Sequence, residues 1–264
     1  MDATPTPDLD PRQLALAQRR RLQGALLGWL GFVALLGVMQ VLSIAWPGLR
    51  SLGVVPLSLP GLSGLLAAPL LHADAGHLLS NAFALVVLGT LVSSVYPKAA
   101  PRIVLAGWLG AGLFTWLLGR PSIHLGASGL VHALFFALFA LALLRRDRPA
   151  VVAAMVAVML FGGMLLTVLP QEWRVSWEMH AGGALSGLLA AWRWRRLDPP
   201  PPRRLYSWEE EERAAEALAE ARAIDAATYE PARPETVPVL WQRPEPREER
   251  GTVLPFRRPP PEGG

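Results

Sequence analysis

Six apolar runs, at residues 24–46, 76–96, 101–118, 127–144, 149–169 and 179–194, leave this chain few ways to fold. A bilayer core is crossed by about 20 apolar residues in helical form, and hydrocarbon offers no partner to an exposed peptide group, so each run reads as one spanning helix. With 52% hydrophobic and 17% charged residues in a chain of 264, the composition is too apolar for an ordinary soluble domain. The expected fold class is therefore all-α and polytopic. A six-helix transmembrane bundle fills residues 24–196, preceded by a cytoplasmic segment over 1–23 and followed by a polar, largely disordered cytoplasmic tail over 197–264.

The first run follows Arg19, Arg20 and Arg21 and ends near Ser43-Ile44-Ala45, a pattern shared with cleaved signal peptides. It is about twice the length of a signal h-region, so it reads as an uncleaved span. Basic residues then set the orientation. Arg12 and Arg19 to Arg21, Lys98 and Arg102, Arg145, Arg146 and Arg148, and Arg193, Arg195 and Arg196 fall on one side, whereas Arg50, Arg120 and Arg174 fall on the other. The positive-inside rule puts both termini in the cytoplasm. Because the arginines flank apolar runs, the basic balance argues for membrane orientation and against nucleic acid as a partner. Cysteine is absent, which excludes disulfides and thiolate metal sites.

The connection over residues 47–75 is rich in Pro, Gly, Ser and Leu and is expected to lie partly in the membrane interface. In the tail, Pro199 to Pro202 form a stiff spacer. Ser207-Trp208-Glu209-Glu210 has the capping-box pattern, predicting a short helix over 207–223, and from residue 226 onward Pro, Arg and Glu dominate.

With the amino terminus inside, the second, fourth and sixth runs all enter from the outer face, and each carries polar residues near its start: His77 and Asn81, Ser128, and His180. Imidazole and amide groups are costly in hydrocarbon and mark functional positions there. Topology brings these four side chains to one depth, where three helix N-termini also present unpaired N–H groups. His77 and Asn81 are one turn apart and share a face. His180, Gly183 and Gly187 form one stripe of the sixth run, and Gly129, Ala133 and Ala137 one stripe of the fourth, so the two helices can press together. A serine between small residues, as in Gly126-Ala127-Ser128-Gly129, is packing or chemistry; an imidazole within reach of it favours chemistry, since a hydroxyl needs a base to become nucleophilic.

Three motifs resemble those of the rhomboid intramembrane serine proteases: His72-x4-His77-x3-Asn81, Gly126-x-Ser128-Gly129, and His180-x2-Gly183-x3-Gly187, over about residues 65–194. The resemblance implies a six-helix core in which Ser128 is the nucleophile and His180 the general base. It further implies that His77, Asn81 and the Ser128 N–H hold the oxyanion, that Gly126 shapes the loop before Ser128, and that no third carboxylate takes part. His72 matches the family's outer histidine, of structural role. Substrates would be single-span membrane proteins, cut near the outer face of what is expected to be a bacterial inner membrane. Lipid would be the other partner, with no cofactor and no metal. Two positions depart from the family. At position 132, where an aromatic residue is usual, stands His132, expected to stack on His180, and the Trp-Arg pair some members carry in the first outer loop is missing.

Two other readings compete. A catalytically silent relative that binds membrane clients would have lost the serine or the histidine, and both are present. A metal site built on His72, His77, His124, His132 and His180 lacks an embedded carboxylate, with only Asp74 and Glu178 near the rim.

Overall fold

The structure, a computed structural model, describes residues 11–170, 175–199 and 207–229. Arg174 and Pro200 to Pro202, which entered the orientation and spacer expectations, lie outside the described residues, as do residues 1–10 and 230–264.

Helix α1 covers Pro11–Ala45. It starts well before the apolar run, because residues 12–23 are mostly Gln, Leu, Ala and Arg, all good helix formers, and Pro11 is tolerated at a first helical position. After turns of 3-10 helix at Pro47–Leu52 and Pro60–Ser63 come the short α2, Gly64–Ala67, and a further turn at Ala68–Leu70. This connection is two-faced, exposing Leu57, Leu59 and Leu66 while burying Val54, Ala68 and Leu71. Then follow α3, Ala75–Val95; α4, Ala100–Leu118; α5, Ser128–Arg145; α6, Arg148–Phe161; and α7, Trp177–Trp194.

Among the described residues, five helices are long and apolar enough to cross a bilayer: α1, α3, α4, α5, and α6 with the turn that extends it to Leu165. The sixth, α7, has 18 residues as α5 does, and is less apolar because it carries Glu178, His180 and Arg193. One face of it is buried, through Met179, Gly183, Gly187 and Ala190, while Leu185, Leu189 and Trp192 are exposed. A helix buried on all sides needs no polar face, and α5 is that helix: Leu130, Leu134, Phe135, Leu138 and Leu141 are all 0–1% exposed.

Small residues fix how α4, α5 and α7 meet. A Cβ placed on Gly183 would land on the carbonyl oxygen of Gly129, and one on Gly187 on that of Ala133, so α5 and α7 run parallel with backbones touching. Gly110 faces Ser186 while Gly182 faces Phe114, so α4 runs the other way. The starts of α5 and α7 therefore share one end of the bundle. Without such glycines the backbones could not approach this closely.

The fifth run was expected to be helical over 149–169. The α-helix instead stops at Gly162-Gly163, continues as a 3-10 turn over Gly162–Leu165, and bends through Thr167. Two consecutive glycines, the poorest helix formers after proline, end it there. The bend carries Thr167 toward the start of α7.

At the opposite end, Asp198 turns back onto α4, accepting from the N–H groups of Lys98 (3.0 Å) and Ala99 (2.9 Å). Arg145 joins this end by bonding the Asp198 carbonyl oxygen and Asp147, its guanidinium 5.0 Å above the Tyr96 ring. The last described helix, α8, covers Ser207–Tyr229, longer than the 207–223 expected because Ala-rich sequence continues to Ala227. It belongs to a separate compact unit beginning at Pro202.

Candidate active site

Ser128 is the first residue of α5 and 8% exposed, and His180 lies in the first turn of α7 with the same exposure. Both touch His132. The His132 ring stacks on that of His180 with centroids 3.9 Å apart and planes 13° from parallel, and its Nδ1 donates to the Ser128 carbonyl oxygen at 2.7 Å. Because His132 is one turn after Ser128, this bond follows the helix while the ring faces α7.

Thr167 completes the arrangement. Its carbonyl oxygen is 3.0 Å from His180 Nδ1, and its hydroxyl is 2.8 Å from His132 Nε2. A carbonyl can only accept, so Nδ1 of His180 carries the hydrogen, and in the neutral ring the lone pair is left on Nε2. In a triad a carboxylate selects this tautomer. Here a backbone carbonyl does, delivered by the bend that ends α6.

On the other flank, the loop before α5 is shaped by Gly126, whose φ of +121° suits glycine alone and whose missing side chain makes room for His77. A Cβ there would stand 2.5 Å from His77 Cε1. The Gly126 N–H donates to the Ala68 carbonyl oxygen at 2.9 Å, and that of Ala127 to His72 Nε2 at 3.4 Å. His72 is fully buried, its pKa pushed down to about 4 by burial first and by neighbouring His77 second, so it is the neutral acceptor this bond requires. The rings of His72 and His77 meet edge to face at 5.2 Å. Asp74 caps α3 by accepting from the His77 N–H at 2.8 Å. One turn beyond His77, Asn81 is 5% exposed, and its Nδ2 is buried without a hydrogen-bond partner. A donor left in that state is costly unless something is to be bound there.

The sequence singled out Ser128, His180, His77, Asn81, Gly126, Gly129, His132, Gly183 and Gly187; all lie toward this end of the bundle except Gly187, which packs on Ala133 in the middle of α7. His124 does not join them. Its backbone pairs with Val54 through two 2.8 Å bonds, while Nδ1 meets the Ser176 hydroxyl at 2.6 Å, tying the connection between α1 and α3 to the cap of α7. Glu178 is buried against Arg120 at 3.3 Å, and Arg120 also bonds the Val175 carbonyl oxygen. Thr167 escaped the reading of the sequence. A signal existed, since it is the one hydroxyl in an otherwise apolar run at 149–169. Among the described residues, no three His, Asp or Glu side chains gather as ligands for a metal ion would.

A model of the Rhomboid domain matches residues 60–197, just over half of the chain. The chain belongs to the rhomboid family. Relatives of this rhomboid chain include uncharacterized proteins of Mycobacterium tuberculosis and Mycobacterium bovis, each 36% identical over 173 residues, covering 62% of this chain and 72% of the relative. An uncharacterized protein of Mycobacterium leprae is 33% identical over 173 residues, covering 62% of this chain and 68% of its own. The rhomboid family is one of intramembrane proteases, and membership together with the apolar helices makes this chain an integral membrane protein.

Proposed function

We propose that this rhomboid is a serine endopeptidase that cleaves transmembrane protein substrates near the outer face of the membrane, with Ser128 as nucleophile and His180 as general base. The observation that carries the reading is the bond from His180 Nδ1 to the Thr167 carbonyl oxygen, which leaves a basic Nε2 on a ring held against α5 by His132.

The Ser128 hydroxyl attacks the substrate carbonyl and passes its proton to His180 Nε2. The oxyanion that forms is met by the Ser128 N–H at the positive end of α5, by the Asn81 amide and by His77. Collapse of the tetrahedral species expels the amine, which takes its proton from His180, and leaves an acyl-serine. Water then attacks the ester with His180 again acting as base. That water can reach Ser128 past the loop over residues 119–125, irregular backbone of the kind tolerated beside a wet cavity. No cofactor or metal enters these steps.

Both termini are assigned to the cytoplasm of a bacterial cell and the site to the outer leaflet, on the arginine and lysine residues at the Asp198 end of the bundle. The partners are membrane lipid and single-span proteins. Co-expression with a panel of tagged single-span proteins tests the reading. Wild type cleaves at least one of them, and Ser128→Ala and His180→Ala, still folded in the membrane, cleave none. A client bound equally by wild type and Ser128→Ala, with no cleavage by either, contradicts it.

A further inference from the structure

Between α1 and α4 a groove runs inward from Arg21, at the end of the bundle opposite the site, to the point where the Phe32 and Trp108 rings meet with centroids 5.8 Å apart. Two adjoining hollows of about 700 and 370 Å3 share Gly24, Ala25, Ser93, Val104 and Trp108, and both fall within the range of roughly 300–1,000 Å3 usual for ligand clefts. The wall on the α1 side is low because Gly24 and Gly28 expose bare backbone: a Cβ on either would meet nothing within 4 Å. Trp29, Phe32 and Trp108 make the deeper part apolar, and Trp29 is pinned there by its Nε1–H, which donates to the Ser93 hydroxyl at 3.0 Å. Arg21 lines the mouth, directly after Arg19 and Arg20, both exposed.

We infer that this groove is a binding site for a phospholipid of the cytoplasmic leaflet with an anionic headgroup. Its long shape and apolar walls fit an acyl chain. Arg21 at the mouth lies at headgroup depth, where basic residues beside a spanning helix attract anionic lipid. A second spanning helix fits less well, since the tryptophan and phenylalanine side chains break the flat, small-residue surface on which helices pair. The inference rests on the orientation given by the basic residues and not on the protease reading: its test reads lipid retention, and the deeper hollow reaches α5 only at Leu130.

Native mass spectrometry of the full chain tests it, with phosphatidylglycerol and phosphatidylcholine titrated separately into detergent-solubilised protein. Wild type retains phosphatidylglycerol in preference to phosphatidylcholine. Arg21→Gln lowers that preference by about fivefold, the effect of one basic residue near an anionic surface. Gly28→Leu, which places a side chain in the open groove, lowers retention of both lipids. Equal retention of the two lipids by wild type overturns the inference, as does retention of phosphatidylglycerol unchanged by either substitution. A dimer that forms with loss of lipid and is broken by Gly28→Leu also overturns it, by making a second copy the occupant.

Discussion

The imidazole of His132 lies flat against that of His180, centroids 3.9 Å apart, and the same Thr167 bonds both rings, one through its carbonyl oxygen and the other through its hydroxyl. The two contacts separate by mutation. Thr167→Val removes the hydroxyl and keeps the carbonyl, so kcat falls by less than about tenfold, the loss of one neutral hydrogen bond. His132→Phe keeps a ring against His180 and retains most activity. His132→Ala removes the stack and costs roughly tenfold more than His132→Phe, as expected for an aromatic contact. Steady-state kinetics on one cleavable substrate orders the three variants, and a Thr167→Val enzyme as inactive as Ser128→Ala would refute the division of labour.

Asn81 offers a test in which activity and stability part. Its Nδ2 is buried and unpartnered in the resting protein, so Asn81→Ala removes a desolvated donor and leaves the melting temperature unchanged or higher. In the mechanism proposed above, that donor meets the oxyanion of the transition state. Losing it costs roughly 10²–10³ in kcat with little change in KM. A residue of structural role alone would show the reverse, a lower melting temperature with kcat preserved.

The contact between α5 and α7 is backbone against backbone, and Gly183 makes it possible. Gly183→Ala puts a methyl on the Gly129 carbonyl and forces the helices apart, at a cost typical of overpacking, about 1–3 kcal/mol. Because Gly129 follows Ser128 directly, activity falls as well. Gly37→Ala is the control: its Cβ meets nothing within 4 Å, and alanine favours helix, so its melting temperature holds or rises. Thermal unfolding in detergent reads both.

Acid should loosen the start of α3. The Asp74 carboxyl is held below its ordinary pKa, chiefly because the charged form accepts the His77 N–H. A carboxylate whose folded pKa is depressed contributes stability that is present above the ordinary carboxylate pKa and is lost as pH falls through the folded value. Asp74→Ala therefore melts below wild type at neutral pH, and the gap closes in acid. A gap independent of pH would assign the effect to something other than this charge.

The architecture was legible because hydrocarbon allows few solutions: apolar runs of spanning length, with arginine on one side, admit little besides a helical bundle. The glycine stripes at Gly129, Gly183 and Gly187 were legible for a related reason, since close helix contact has one inexpensive residue type. Other features were not. The Gly162-Gly163 pair was the local sign that the fifth run would break, but the apolar run continues through it and looks the same whether its last turn is α or 3-10. Thr167 was marked only by its hydroxyl, which meets His132; the contact to His180 is made by a main-chain carbonyl that every residue owns. Asp198 looked like part of a tail beginning at Leu197, and only the fold shows it closing on Lys98 and Ala99, about a hundred residues away in sequence.

Reactivity of one hydroxyl is the heart of the account, and covalent labelling measures it without knowledge of any substrate. Folded wild-type protein is treated with a fluorophosphonate and digested, and the modified peptide is located by mass spectrometry. The adduct is expected on Ser128, absent from Ser128→Ala and strongly reduced in His180→Ala, whose serine has lost its base. Wild-type protein that is folded yet leaves Ser128 unmodified, or a His180→Ala variant that labels as fast as wild type, would contradict it.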